Sequence, residues 1–160
     1  MKGIKTAVLL LFISVAAFLQ NPGLINLKYE QNYTPTYKEV IEMYQTLDDN
    51  YDNVRLFEKG LTDCGKPLHI FVINDSPEFD PRKIREAGKS VLLINNGIHP
   101  GEPAGIDASL QFADDMLRNE KVTKQLLQKT AVVIIPVYNI GGHLHRSAFN
   151  RANQTTPNET

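Results

Sequence analysis

His99 and Glu102 stand three residues apart in the stretch Asn95-Asn96-Gly97-Ile98-His99-Pro100-Gly101-Glu102-Pro103-Ala104-Gly105. The pair offers a neutral imidazole nitrogen and a hard carboxylate. Two histidines and one glutamate around an open fourth position form a catalytic zinc pattern, and two of those three ligands are visible here. Residues three apart also share a helix face. Pro100, Gly101 and Pro103 argue against a helix, because both residue types disfavour helix interiors, so the pair is expected on a loop. The spacing alone is a weak signal, and its context has to carry the rest.

The elements that must position this loop follow from periodicity. Ser90 to Asn95 is a short apolar run of buried-strand type, and Ala104 to Arg118 places Ile106, Leu110, Ala113 and Leu117 at helical spacing. His99 and Glu102 therefore sit at a strand-to-helix crossover, near the carboxyl end of a strand, where open α/β sheets bind ligands. Upstream, Thr36-Tyr37-Lys38-Glu39 has the form of a capping box and predicts a helix to about Asp48, with Val40, Ile41, Tyr44 and Leu47 on one face. Asn53 to Glu58 and Leu68 to Ile73 are so close in sequence that an antiparallel pair is the simplest arrangement. Asp80-Pro81 opens a short helical turn that Gly88 closes. Downstream, a helical patch around Thr123 to Gln128 leads into Ala131 to Val137, whose β-branched residues predict a strand buried on both faces. Strand, helices and strand then make a right-handed parallel unit. A doubly covered sheet that stops at such a strand leaves an open edge, so the domain is expected to be incomplete.

The other chemistry-bearing side chains have plainer readings. His69 falls inside a strand without a partner at ligand spacing and reads as a packing or surface histidine. His143 and His145 flank Leu144 and read as exposed loop histidines. Cys64 is the chain's single cysteine, which excludes an internal disulfide and a thiolate metal cluster and leaves a small residue in a turn. The formal net charge of −1 and the lack of a basic cluster argue against nucleic acid or an acidic membrane surface as a partner.

Lys2 and Lys5 precede an apolar core from Ala7 to Leu19, with small residues at Ser14, Ala16 and Ala17. This reads as a secretory leader over residues 1–22, shorter than the ~20 apolar residues of a membrane-spanning helix. The expected location is secreted or periplasmic, with no stable membrane insertion after cleavage. The N-x-[ST] sites at Asn32, Asn153 and Asn158 mark surface loops.

The H-x-x-E loop, the strand before it, Gly60-Leu61-Thr62-Asp63-Cys64-Gly65-Lys66-Pro67-Leu68 and Asn150-Arg151-Ala152-Asn153-Gln154 together resemble the zinc carboxypeptidase family of the carboxypeptidase A type. The resemblance covers residues 33–160, the N-terminal part of that family's catalytic domain. It implies an α/β fold, a mixed and mostly parallel sheet with helices on both faces. It further implies Zn2+ held by His99 and Glu102, a peptide or protein C-terminus as substrate, and Arg151 as the arginine that polarises the scissile carbonyl. A guanidinium keeps its charge and suits a developing oxyanion; Arg146 ranks second because it lacks the R-x-N context. The family's third ligand, general base and carboxylate-binding Asn-Arg pair are expected beyond Thr160, so these 160 residues alone are expected to be inactive. One departure is visible: Asn139-Ile140-Gly141-Gly142 stands where many members carry Asn-Pro-Asp-Gly. Two alternatives remain open. A zinc amidohydrolase of the aspartoacylase and succinylglutamate desuccinylase branch also uses H-x-x-E, usually with Gly-Asn between the ligands. An exported binding module would keep the scaffold without turnover.

Overall fold

The computed structural model describes residues 23–147. The proposed leader at 1–22 and the candidate Arg151 lie outside the described residues. Among those described, five helices and four strands follow one another as α1 (Tyr37–Asn50), β1 (Val54–Leu61), β2 (Pro67–Ile73), α2 (Pro81–Glu86), β3 (Ser90–Asn95), α3 (Ala104–Arg118), α4 (Glu120–Leu127), β4 (Thr130–Ile135) and α5 (Ile140–Leu144), preceded by a 3-10 turn at Tyr29–Gln31.

Local sequence sets the ends of these elements. The Thr36 hydroxyl accepts from the Glu39 amide at 3.4 Å, and Glu39 Oε2 accepts from the Thr36 amide at 2.7 Å, completing the reciprocal cap that starts α1. Val40, Tyr44 and Leu47, on one face of that helix, are fully buried. In α2, the Asp80 carboxylate accepts from the Arg82 amide at 2.8 Å, and Gly88 follows the helix with a φ of 73°. β1 runs three residues past the expected Glu58, because a register shift between Glu58 and Leu61 admits Gly60 at a φ of 84°. β4 stops at Ile135, before Pro136, which has no amide to donate to a ladder.

The strand order is β1-β2-β4-β3. β1 and β2 are antiparallel, as are β2 and β4, while β3 and β4 run parallel from Ser90↔Thr130 to Asn95↔Ile135. The sheet is open and mixed. Phe71 pairs with Ile134 and Ile73 with Val132, so alternate residues of both strands share one face and meet Tyr44, Leu47, Ile106, Leu110 and Leu117 in a single apolar core. Tyr44 and Phe71 stack at 4.8 Å between ring centroids, tilted by 52°, a geometry worth about 1 kcal/mol beyond the area it buries. Val72 and Ala131 alternate to the other face and are also buried.

Two expectations are corrected. β3 was expected to be buried, yet Val91, Leu92 and Leu93 are 54%, 49% and 57% exposed. Its one partner among the described strands is β4, so it stands at the edge of the described sheet. His143 was expected in an exposed loop and is instead 3% exposed. It lies in α5, whose turn the Asn139 side chain caps by accepting from the Gly142 amide at 2.9 Å. His145 is exposed, as expected.

Candidate metal centre

The chain leaves β3 still tied to β4: the Asn96 amide donates to Ile135 O at 3.1 Å, Tyr138 to Asn96 O at 2.8 Å and Asn139 to Gly97 O at 3.0 Å. Gly97 then turns the backbone with a φ of 60°. A Cβ built there would lie 3.1 Å from Val137 Cγ1 and 3.2 Å from Ile106 Cδ1. At this φ any other side chain is strained, and one would fit only if Val137 and Ile106 gave way by a few tenths of an ångström. The turn through Pro100 and Gly101 is closed by the Glu102 amide donating to His99 O at 3.3 Å, and α3 begins at Ala104. His99 and Glu102 accordingly stand on the crossover loop at the carboxyl end of β3.

Beneath the loop, Asn96 is 7% exposed and donates through Nδ2 to Ser109 Oγ at 2.7 Å. Ser109 Oγ donates in turn to Ile106 O at 3.1 Å and lies 3.0 Å from the Tyr44 hydroxyl. Serine has one proton to give, so the Tyr44 hydroxyl is the donor in that last contact. Burial drives the Tyr44 phenol well above its ordinary pKa, against a smaller opposite effect of the Ser109 bond. A neutral buried chain thus ties the strand end to α3 and α1.

His99 Nδ1 lies 2.7 Å from Glu102 Oε2, and the two side chains are 46% and 34% exposed. They converge at the distance of a hydrogen bond. The donor set, imidazole plus carboxylate, suits zinc. Among the described residues no group of three or more His, Cys, Asp or Glu is placed to hold a metal ion.

The remaining histidines have other surroundings. His69 is 6% exposed, faces Glu58 at 3.6 Å and lies 3.2 Å from the Tyr37 hydroxyl. Burial lowers its pKa, with Glu58 pulling the other way. His143 Nε2 lies 3.2 Å from Arg146 NH1. Burial first, then the guanidinium, drops the His143 pKa to about 4, so it is neutral at pH 7. Arg146 donates to Pro35 O at 2.8 Å and to Thr34 O at 2.9 Å, and the Thr34 hydroxyl donates to Asp107 at 2.9 Å. Arg146 thus ties the segment after α5 to Thr34 and Pro35 ahead of α1.

Asn96, Gly97, Asn139 and Gly142 carry no expected role in the sequence beyond their place in the two loops. The signal present was their type: asparagines and glycines around a strand exit mark caps and positive-φ turns.

The fold is thus an open mixed sheet with an imidazole–carboxylate pair at the carboxyl end of β3. Residues 40–159 match the zinc carboxypeptidase family, and the chain belongs to that family. It is 30% identical over 76 residues to a probable carboxypeptidase 2 of Trichophyton verrucosum, an alignment that covers 47% of this chain and 14% of that protein. The fold is similar to carboxypeptidase A from Helicoverpa armigera, with a TM-score of 0.58 and 24% identity over 74% of this chain and 27% of the other. It is similar also to bovine thrombin-activatable fibrinolysis inhibitor bound to a tick carboxypeptidase inhibitor, with a TM-score of 0.57 and 20% identity over 72% and 34%. The chain thus spans about a third or less of the length of these relatives.

Proposed function

We propose that this chain is the amino-terminal part of the catalytic domain of an exported zinc metallocarboxypeptidase, which hydrolyses the C-terminal peptide bond of peptides or proteins. The observation that carries the reading is the convergence of His99 and Glu102 to 2.7 Å at the carboxyl end of β3, in a chain of the zinc carboxypeptidase family. Bound there, zinc supplies Lewis-acid polarisation of a carbonyl and lowers the pKa of a water it holds toward ~7. His99 and Glu102 would hold the ion through imidazole and carboxylate, and the buried Asn96-Ser109-Tyr44 chain holds the strand end that leads into their loop. Arg151 is proposed to receive the charge that develops on the substrate carbonyl oxygen, where a fixed donor is most effective. Export rests on the leader reading of residues 1–22; among the described residues no helix is long and apolar enough to cross a membrane. The Pro100-Gly101 spacing between the ligands favours peptidase over the amidohydrolase branch.

The test is release of C-terminal residues from a peptide library by the product of the full reading frame that contains this chain, with zinc supplied. The expected result is turnover lost in His99→Ala and Glu102→Ala, and reduced by about a hundredfold or more in Arg151→Ala, the scale seen when one oxyanion donor is removed. Release that survives both ligand substitutions contradicts the reading.

A further inference from the structure

The amino end of α5 presses against the candidate metal loop more tightly than any side chain would allow. A Cβ built on Gly142 would lie 2.5 Å from Pro100 Cγ and 2.8 Å from both side-chain polar atoms of Asn139, far inside the ~3.5–4.0 Å of ordinary carbon contact. Pro100 is the residue that follows His99 in the turn to Glu102. Its ring is fused to the backbone, so a push on Cγ is relieved only by a change of ring pucker or by movement of the main chain.

α5 has little freedom to retreat. Ile140 and His143 anchor it at 1% and 3% exposure, and Arg146, just past its end, is bound to Thr34 O and Pro35 O. Asn139 adds a second grip. Its amide donates to Gly97 O at 3.0 Å, its Oδ1 caps α5 through the Gly142 amide at 2.9 Å, and its Nδ2 reaches Ile98 O at 3.4 Å. On the opposite side of the loop, Gly97 is packed against Val137 and Ile106. The Gly97–Pro100 backbone is therefore held between the core and the start of α5.

We propose that Asn139 and Gly142 are positioning residues for His99 and Glu102: the missing side chain at Gly142 seats Pro100, and Asn139 fixes the backbone that carries the imidazole, so that the two donors converge on one ion. The inference rests on the zinc reading above. Neither residue touches the ion or the substrate; both act through the loop. It also gives the glycine of the Asn139-Ile140-Gly141-Gly142 turn a physical role that the loop's altered sequence leaves intact.

A double-mutant cycle between Gly142 and Pro100 tests this in the product of the full reading frame, with zinc affinity measured by competition against a chromophoric chelator. Substitutions that disturb the groups orienting metal ligands typically weaken affinity 10–100-fold. Gly142→Ala is expected to raise the zinc dissociation constant by about tenfold or more in the Pro100 background. The same change is expected to raise it clearly less in a Pro100→Ala background, where the ring clash is gone and only the two Asn139 contacts remain. An equal effect in both backgrounds, or none in the first, overturns the proposal. Asn139→Ser retains an N-cap acceptor but cannot reach Ile98 O. It is expected to weaken zinc by about threefold with an unchanged melting temperature, and it carries the test if Gly142→Ala does not fold; unaltered zinc affinity in this folded variant overturns the proposal equally. If the unsubstituted protein binds no zinc, the zinc reading fails by itself. The clamp is then judged by crystal structures of the unsubstituted and Gly142→Ala proteins, in which a His99 Nδ1 to Glu102 Oε2 separation that stays at 2.7 Å refutes it and a clear lengthening supports it.

Discussion

Ser109→Ala removes the hub of the buried polar chain beneath the metal loop. Ser109 Oγ accepts from Asn96 Nδ2 at 2.7 Å and faces the Tyr44 hydroxyl at 3.0 Å, with the three residues 5%, 7% and 0% exposed. Alanine leaves two buried donors unsatisfied, each at about 1–3 kcal/mol, while its better helix propensity returns at most ~0.5 kcal/mol. The expected loss is about 3 kcal/mol. At roughly 2–4 °C per kcal/mol for a chain of this size, the melting temperature should fall by about 6–12 °C. Urea unfolding with an unchanged slope is the assay. Tyr44→Phe separates the pairwise part: alone it should cost about 1 kcal/mol, but combined with Ser109→Ala it removes an orphaned hydroxyl and should be neutral or stabilising. A Ser109→Ala loss below about 1 kcal/mol, or a Tyr44→Phe effect equal in both backgrounds, would show that the chain does not hold the strand end as argued.

Other outcomes follow from the same structure. Thr36→Ala breaks the reciprocal cap of α1 and should cost about 1 kcal/mol, read as a shift in the urea midpoint. His143 has a folded pKa near 4, below its unfolded value of about 6.5. The unfolded chain therefore binds the extra proton first as pH falls, so stability is fully present above pH ~6.5 and declines toward pH ~4, by about 3 kcal/mol in all. Replacing it with glutamine should flatten the melting temperature between pH 7 and pH 4.5 relative to the unsubstituted protein; an unchanged slope rejects a buried neutral imidazole. Gly97→Ala places a side chain at a φ of 60° against Val137 and Ile106 and should cost at least ~1 kcal/mol, measured by the same unfolding.

Local chemistry was the legible part of this sequence. The apolar spacing of Ile106, Leu110, Ala113 and Leu117 marks α3 at its observed bounds, and each of these residues is buried. Thr36 and Glu39 announce the start of α1, and Asp80-Pro81 that of α2, because caps are satisfied within a few residues of chain. What stayed hidden depends on distant partners. The exposure of Val91, Leu92 and Leu93 among the described residues depends on what lies beside and over β3, a long-range fact that a period-two or continuous apolar run does not encode. His143 is buried because Arg146 reaches across to Thr34 and Pro35, more than a hundred residues away in sequence. The same holds for the candidate site. The spacing of His99 and Glu102 could suggest that they share an ion, but the seat that Gly142 makes for Pro100 comes from a helix that begins far later in the chain.

Zinc content of the purified full-length product, set beside that of its His99→Ala/Glu102→Ala variant, bears most directly on whether this imidazole and carboxylate grip a metal. One zinc ion per chain, lost in the double variant while its circular dichroism is retained, is the expected result. A protein that carries no stoichiometric zinc when the metal is supplied, or a variant whose occupancy is unchanged, contradicts it.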